Sequence, residues 1–391
     1  MSNKKFTKDA FPVGFYNDLH KDFSINFQMN RFYNWTNDES MLKEMRDASP
    51  RMNNYAECIS AFTELSRKAL AEGNKLEAAN YLRGAEFYLK AADPRKEDYR
   101  RKFLSLVKEH FNINGNDHYK VPYENSFLSA YRFTPETPKG TYVMFGGFDS
   151  YIEELFPLAM VMKKAGYDVI CFDGPGQGST LEDYKIPMTY KWEEPIKAIL
   201  DFFKVADATL FGMSLGGYLV LRAGAFEGRI KRIIADGILF DFYESIFRQF
   251  PPYLKADLDQ FILDEDEKAA NDLLESMMHK SLIVEWMLTQ GMHVMGCATP
   301  YAFANKVKLF TTREISSKVR QDVLLLAGQE DHYIPINHFF EQGKRLTNVH
   351  SLTMRMFTKA ENAQNHCQIG NVGLCFRVIL DWLDQVLDQE Y

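Results

Sequence analysis

The chain of 391 residues is poor in the features that mark most specialised classes of protein. It has five cysteines, Cys58, Cys171, Cys297, Cys367 and Cys375, an odd number, widely scattered and without metal-ligand spacing. That argues against a disulfide framework and against a zinc site, and reduced thiols are expected. No apolar run reaches the ~20 residues that a membrane-spanning helix needs. Met1 to Ala10 carries lysines, but a mixed polar and aromatic stretch follows in place of an apolar leader core. No secretory signal is therefore expected, and a cytoplasmic location is. The formal net charge is -7 and no long Lys/Arg run overrides it, so neither nucleic acid nor a membrane is expected as a partner. No strong repeat is present, only a faint tetratricopeptide look between residues 53 and 111. The glycine-rich stretch Phe172-Asp173-Gly174-Pro175-Gly176-Gln177-Gly178 lacks the Lys-Ser/Thr of a phosphate loop and the frame of a dinucleotide site. No cofactor and no metal is implied.

What is present is an ordinary globular composition, 46% hydrophobic and 25% charged, in a chain longer than one core usually serves. Two domains are expected, 1–120 helical and 121–391 of α/β class. The aromatic-rich stretch Phe23 to Trp35 reads as a helix docked on an apolar surface. Three more helices are read from punctuation: Asn53 to Glu72 ending at Gly73, Lys75 to Ala92, and one opening at Asp93-Pro94. After Gly115-Asn116 the texture changes to short strands, Ser126 to Phe133, Gly140 to Phe145 and Asp168 to Phe172. Helical stretches, Glu154 to Ala165 and Trp192 to Phe203, lie between the later strands, which predicts a mostly parallel sheet covered by helices. A helical block from about 240 to 312 exceeds what a crossover needs and is expected to be a cap insertion.

The chemistry centres on Gly212-Met213-Ser214-Leu215-Gly216, with an apolar strand directly before it and an apolar helix directly after. A sharp strand-to-helix turn exposes the hydroxyl of Ser214, and Gly212 and Gly216 relieve collisions with neighbouring backbone. An alcohol is a weak nucleophile and needs a base. Further on, the buried strand Val323 to Ala327 runs into Gly328-Gln329-Glu330-Asp331-His332, and the last strand, Ser351 to Phe357, is followed by Asn365-His366-Cys367. The order Ser, Asp, His is that of the α/β-hydrolase fold, with Asp331 orienting His366 and His366 accepting the proton of Ser214. Glu330 is the competing acid and His332 the competing base; Cys367 as nucleophile is the weaker reading, since nucleophile and base usually meet only in space. An oxyanion hole is expected from the N–H groups of Leu215 and Phe148, the latter on the turn Gly146-Gly147-Phe148-Asp149-Ser150, with the Phe148 side chain incidental.

Laid out in this way, the chain resembles the fermentation-respiration switch esterase-like group of α/β hydrolases. That group includes 2,6-dihydroxypseudooxynicotine hydrolase and fungal polyketide-shortening hydrolases. The likeness rests on Phe27-Gln28-Met29-Asn30-Arg31-Phe32, on the Gly146 and Phe172 turns, on Gly212 to Gly217, and on Ala360 to Gln368. The resemblance implies a homodimer, a helical N-terminal cap, a small-molecule substrate and, in several members, cleavage of a carbon–carbon bond next to a carbonyl. It also implies an auxiliary acid beyond the strand that follows the nucleophile helix, where Asp236, Asp241 and Glu244 are candidates and Glu244 is chosen; a solvated or salt-bridged carboxylate is the competing reading. A carboxylesterase is the runner-up function, and a catalytically silent interaction scaffold the alternative of another class.

Overall fold

The computed structural model describes residues 11–388; the Met1 to Ala10 segment on which the leader argument rests lies outside the described residues. Two compact units form, one up to Gly115 together with Ile369–Cys375, the other from Asn116 to Gln368 together with the chain from Phe376 onward.

The first unit is helical: Phe23–Asn34, Ser40–Ala48, Tyr55–Ala71, Lys75–Phe87 and Pro94–His110. Its helix starts are set by side chains. Asp22 accepts the N–H groups of Ser24 and Ile25, Asn54 that of Glu57, and Asp93, ahead of Pro94, that of Arg95. The helix from Lys75 ends at Phe87, short of the expected Ala92. The Glu86 carbonyl takes the Leu89 N–H and the Lys96 ammonium, which closes a tighter turn. Ser40–Ala48 is a further helix, beyond those that the sequence predicts. Its buried residues, Met41, Leu42, Met45 and Ala48, form one narrow stripe.

The second unit holds an eight-stranded sheet. Its strands are β1 His118–Tyr123, β2 Ser126–Phe133, β3 Thr141–Phe145, β4 Asp168–Asp173, β5 Ala208–Met213, β6 Ile230–Asp236, β7 Asp322–Gly328 and β8 Ser351–Phe357. They lie in the order β1-β2-β4-β3-β5-β6-β7-β8, with β2 antiparallel to both its neighbours, β1 and β4, and the other pairs parallel. Strands β4, β5 and β7 are buried at every position, which is why they read as unbroken apolar runs. Strand β1 was not foreseen: it carries Lys120 and Pro122 and survives as an edge strand paired only with β2.

Between β6 and β7 lies a helical insertion, with helices Phe242–Ile246, Pro252–Leu263, Glu267–Met278, Leu282–Met295 and Pro300–Val307. Its two ends are stitched together. Phe242 N–H donates to the Phe310 carbonyl and Thr312 N–H to the Phe240 carbonyl, both at 3.0 Å, around a bridge between Asp241 and Thr311. Among the described residues no helix is long and apolar enough to cross a membrane, and no cluster of three or more His, Cys, Asp or Glu is arranged to hold a metal ion.

Candidate active site

Ser214 stands at the C-terminal end of β5, between that strand and the helix Gly216–Gly224, with φ at 62°. This left-handed backbone is costly for a residue with a side chain and persists only where its surroundings enforce it. The enforcement is visible. Ser214 N–H donates to the Asp236 carbonyl at 2.6 Å, and its own carbonyl accepts the Gly217 N–H. A Cβ on Gly212 would collide with the Gly216 carbonyl, and one on Gly217 with the Gly237 carbonyl. Gly217, not singled out in the sequence, is thus as constrained as Gly212. Ser214 remains half-buried between the buried Met213 and Leu215.

Three residues far apart in the chain meet here. His366 Nε2 lies 2.9 Å from Ser214 Oγ, and His366 Nδ1 lies 2.7 Å from Asp331 Oδ2. Asp331 hangs from the loop after β7, where its Oδ1 accepts the N–H groups of Tyr333 and Ile334 at 2.8 and 2.9 Å. Burial works to raise the Asp331 pKa, but the adjacent His366 and the Ile334 N–H outweigh it and hold the carboxyl below its usual range. Burial likewise works to lower the His366 pKa, and the Asp331 carboxylate overcomes it, leaving the imidazole more basic than usual. An imidazole fixed at Nδ1 by a carboxylate presents Nε2 to accept a proton from a hydroxyl.

The rival residues make other contacts. Glu330 is exposed, next to the acid but facing outward. The ring of His332 packs on Tyr333 and edge-on to His366, with centroids 6.3 Å apart, and burial holds its pKa down at about 3. Cys367 is buried beside His366 in a left-handed turn, with φ at 52°.

The turn after β3 lies against Ser214: a Cβ on Gly147 would stand 2.9 Å from both the Leu215 nitrogen and Ser214 Cβ. The turn that leads into Phe148 therefore packs directly on the Leu215 nitrogen. The Phe148 ring is not incidental, because it packs on Phe242 and Trp286 of the insertion, with centroids at 5.5 and 6.3 Å. The insertion also grips the acid loop, Arg248 donating to the Asp331 carbonyl and Gln249 to that of His332.

Glu244 is not brought to this group. It pairs with Arg313 at 2.9 Å and with His338 at 3.0 Å at the base of the insertion, beside Asp241, which Arg313 also binds. Of the three candidates it is Asp236 whose main chain meets the nucleophile, its carbonyl accepting the Ser214 N–H. Gln177, on the glycine-rich turn after β4, reaches across to hold the Gly146 and Gly147 carbonyls. The signal for Asp236 was only an acid closing a buried strand; that for Gln177 was a polar residue among glycines.

The sequence profile of the α/β hydrolase fold matches residues 144–285. A 20-hydroxy-prefusarin hydrolase of Gibberella moniliformis is 27% identical over 378 residues, covering 88% of this chain and 87% of that protein. A hydrolyase of Aspergillus clavatus is 25% identical, covering 82% and 84%. An α/β hydrolase of Acremonium is 30% identical over 181 residues, a match spanning 43% of this chain and only 36% of the relative. In fold, the chain is similar to 2,6-dihydroxy-pseudo-oxynicotine hydrolase, with a TM-score of 0.60 at 19% identity over 90% of this chain and 94% of the other. The sheet order and the matched profile show the α/β hydrolase fold, and the relatives, named as hydrolases, support an enzyme of the hydrolase class.

Proposed function

We propose that the chain is a serine hydrolase in which Ser214 is the nucleophile, His366 the general base and Asp331 the acid that orients it. The observation that carries this reading is the continuous run of hydrogen bonds from Ser214 Oγ through His366 to Asp331, on residues 152 and 35 positions apart. Ser214 Oγ attacks a substrate carbonyl while His366 Nε2 takes its proton. Asp331 stabilises the imidazolium, and the Leu215 and Phe148 N–H groups receive the oxyanion. Collapse of the tetrahedral intermediate breaks the bond to the leaving group, which takes the proton from His366. Water then enters, is deprotonated by His366 and releases the acyl group from Ser214.

We further propose that the bond broken joins two carbons next to a carbonyl. This rests on the resemblance and on the hydrolase relatives, and chemically it requires a second carbonyl β to the first, so that the leaving carbon departs as an enolate. The aromatic groups around the oxyanion turn, Phe148, Phe242 and Trp286, suit an unsaturated or aromatic acyl portion. A homodimer and a cytoplasmic location are proposals on the same footing. The test is a side-by-side assay of β-diketones that contain no ester and p-nitrophenyl esters of matched acyl length. Hydrolysis of the diketones supports carbon–carbon cleavage. Turnover of esters alone would assign the chain to the carboxylesterases, and turnover of neither, together with tight binding of a protein partner, would favour the scaffold reading.

A further inference from the structure

The helical insertion touches both flanks of the catalytic group through one short stretch of its chain. Phe242, which opens its first helix, packs its ring on that of Phe148, on the turn proposed to carry an oxyanion donor. Arg248 and Gln249 lie on the 3-10 turn that continues this helix, and they donate to the main-chain carbonyls of Asp331 and His332 at 3.0 and 3.1 Å. Phe242 and Arg248 stand only six positions apart, so about two helical turns reach from the oxyanion turn to the acid loop.

That stretch is itself held in place. The Asp241 carboxylate accepts the Glu244 N–H at 3.1 Å and caps the helix, while the Phe242 N–H is taken by the Phe310 carbonyl. The rings of Tyr243, Phe247 and Phe250 pack in series, with centroids 4.8 and 5.4 Å apart, and Phe247 is fully buried. A second ring, that of Trp286, packs on Phe148 from the helix Leu282–Met295. The far end of this helix is fastened to the chain after β4: Met188 N–H donates to the Val294 carbonyl at 2.9 Å, and His293 Nε2 lies 2.8 Å from Glu182 Oε1. Close-packed rings do not deform freely, so a shift on one side is passed to the other. Misplacing a catalytic group by about 1 Å can cost roughly 10²-fold in rate.

We infer that residues 242–249 form a brace that sets the geometry of the reaction: Phe242 positions the oxyanion turn through the Phe148 ring, and Arg248 positions the acid loop through the Asp331 carbonyl. Both are positioning residues, and neither bonds to substrate in this role. The insertion then does more than wall the pocket, because lifting it would loosen the oxyanion donor and the acid together.

This rests on the proposed roles of Ser214, Asp331 and the Phe148 N–H, and double-mutant cycles on the full chain separate it from them. The readout is the second-order rate of Ser214 labelling by a small dialkyl fluorophosphate, which needs the nucleophile and its oxyanion donors but little of the substrate pocket. Phe242→Ala is expected to label about 10-fold more slowly than wild type. Added to Phe148→Ala, which removes the ring it acts through, it should change the rate by less than about twofold. Arg248→Ala, a change at an exposed side chain, is expected to label about 3- to 10-fold more slowly. Arg248→Lys should restore the rate, and Arg248→Ala should have no further effect in Asp331→Asn. Labelling at the wild-type rate by either Phe242→Ala or Arg248→Ala, or losses that multiply in full in the double variants, would make the stretch a mere wall of the pocket and overturn the inference. If Phe242→Ala does not fold by circular dichroism, the Arg248 cycle decides alone. Failure of the wild type to label removes the role of Ser214 and this inference with it, whereas a wild type that labels leaves that role standing whichever way the cycles fall.

Discussion

Gln177 joins two turns that are distant in sequence: its side-chain amide donates to the carbonyls of Gly146 and Gly147, each at 2.9 Å, while its Oε1 accepts the Gly174 N–H at 3.0 Å. The glutamine is buried, so these bonds are not shared with solvent. They fix the turn that carries the Phe148 N–H, proposed here as an oxyanion donor. Gln177→Leu is expected to lower kcat about 10- to 100-fold with little change in KM, since a misplaced donor is felt mainly in the transition state. A raised KM at unchanged kcat would instead assign Gln177 to ground-state binding.

The choice between the two acids of the 330–331 pair can be tested directly. Asp331→Asn leaves the shape of the site intact but favours the wrong imidazole tautomer, and should reduce kcat by about 10^4-fold. Glu330→Gln, on an exposed side chain, should leave it within about twofold, the usual outcome for a surface change. A comparable loss in both variants would place the acid elsewhere.

Much of the site could be read from the sequence because it coincides with punctuation. An apolar strand, glycines on either side of Ser214 and an apolar helix are local signals, and the order of Asp331 and His366 after the last two strands follows from the topology. Strand β1 was lost because Lys120 and Pro122 mask an edge strand. Helix Ser40–Ala48 was lost because nine residues give one short stripe. Gln177 is hidden in the sequence, and Asp236 cannot be told there from Asp241 and Glu244, for another reason. Each acts across a gap closed only by tertiary folding, and the acids in the stretch from Asp236 to Glu244 look alike until burial separates them.

Burial does separate them. Glu244 is 43% exposed in its side chain, ion-paired with Arg313 and hydrogen-bonded to His338. Ion pairs of this kind contribute roughly 0–1 kcal/mol. Glu244→Gln is therefore expected to keep kcat within about threefold and to lower the melting temperature only slightly. A loss of turnover of a hundredfold or more, with the fold intact, would restore Glu244 as an auxiliary acid.

Asp236 also predicts a pH dependence of stability. Its carboxyl binds a proton more tightly in the folded chain than in the unfolded one, at about 7 against 3.8. The stability this contributes is complete at pH values below 3.8 and is lost as pH rises towards 7, because over that window the unfolded chain has released a proton that the folded chain still holds. Asp236→Asn cannot ionise. Its melting temperature relative to wild type should therefore climb between pH 4 and 7 and level off above. A difference that stays constant across that range would mean that Asp236 is already ionised in the folded protein.

Mass spectrometry of intact protein and peptides after fluorophosphonate treatment of wild type and Ser214→Ala shows whether Ser214 is the nucleophile. One adduct is expected, confined to the peptide containing Ser214 and absent from the variant. Properly folded wild type that takes up no adduct, or an adduct on another residue that persists in Ser214→Ala, would contradict it.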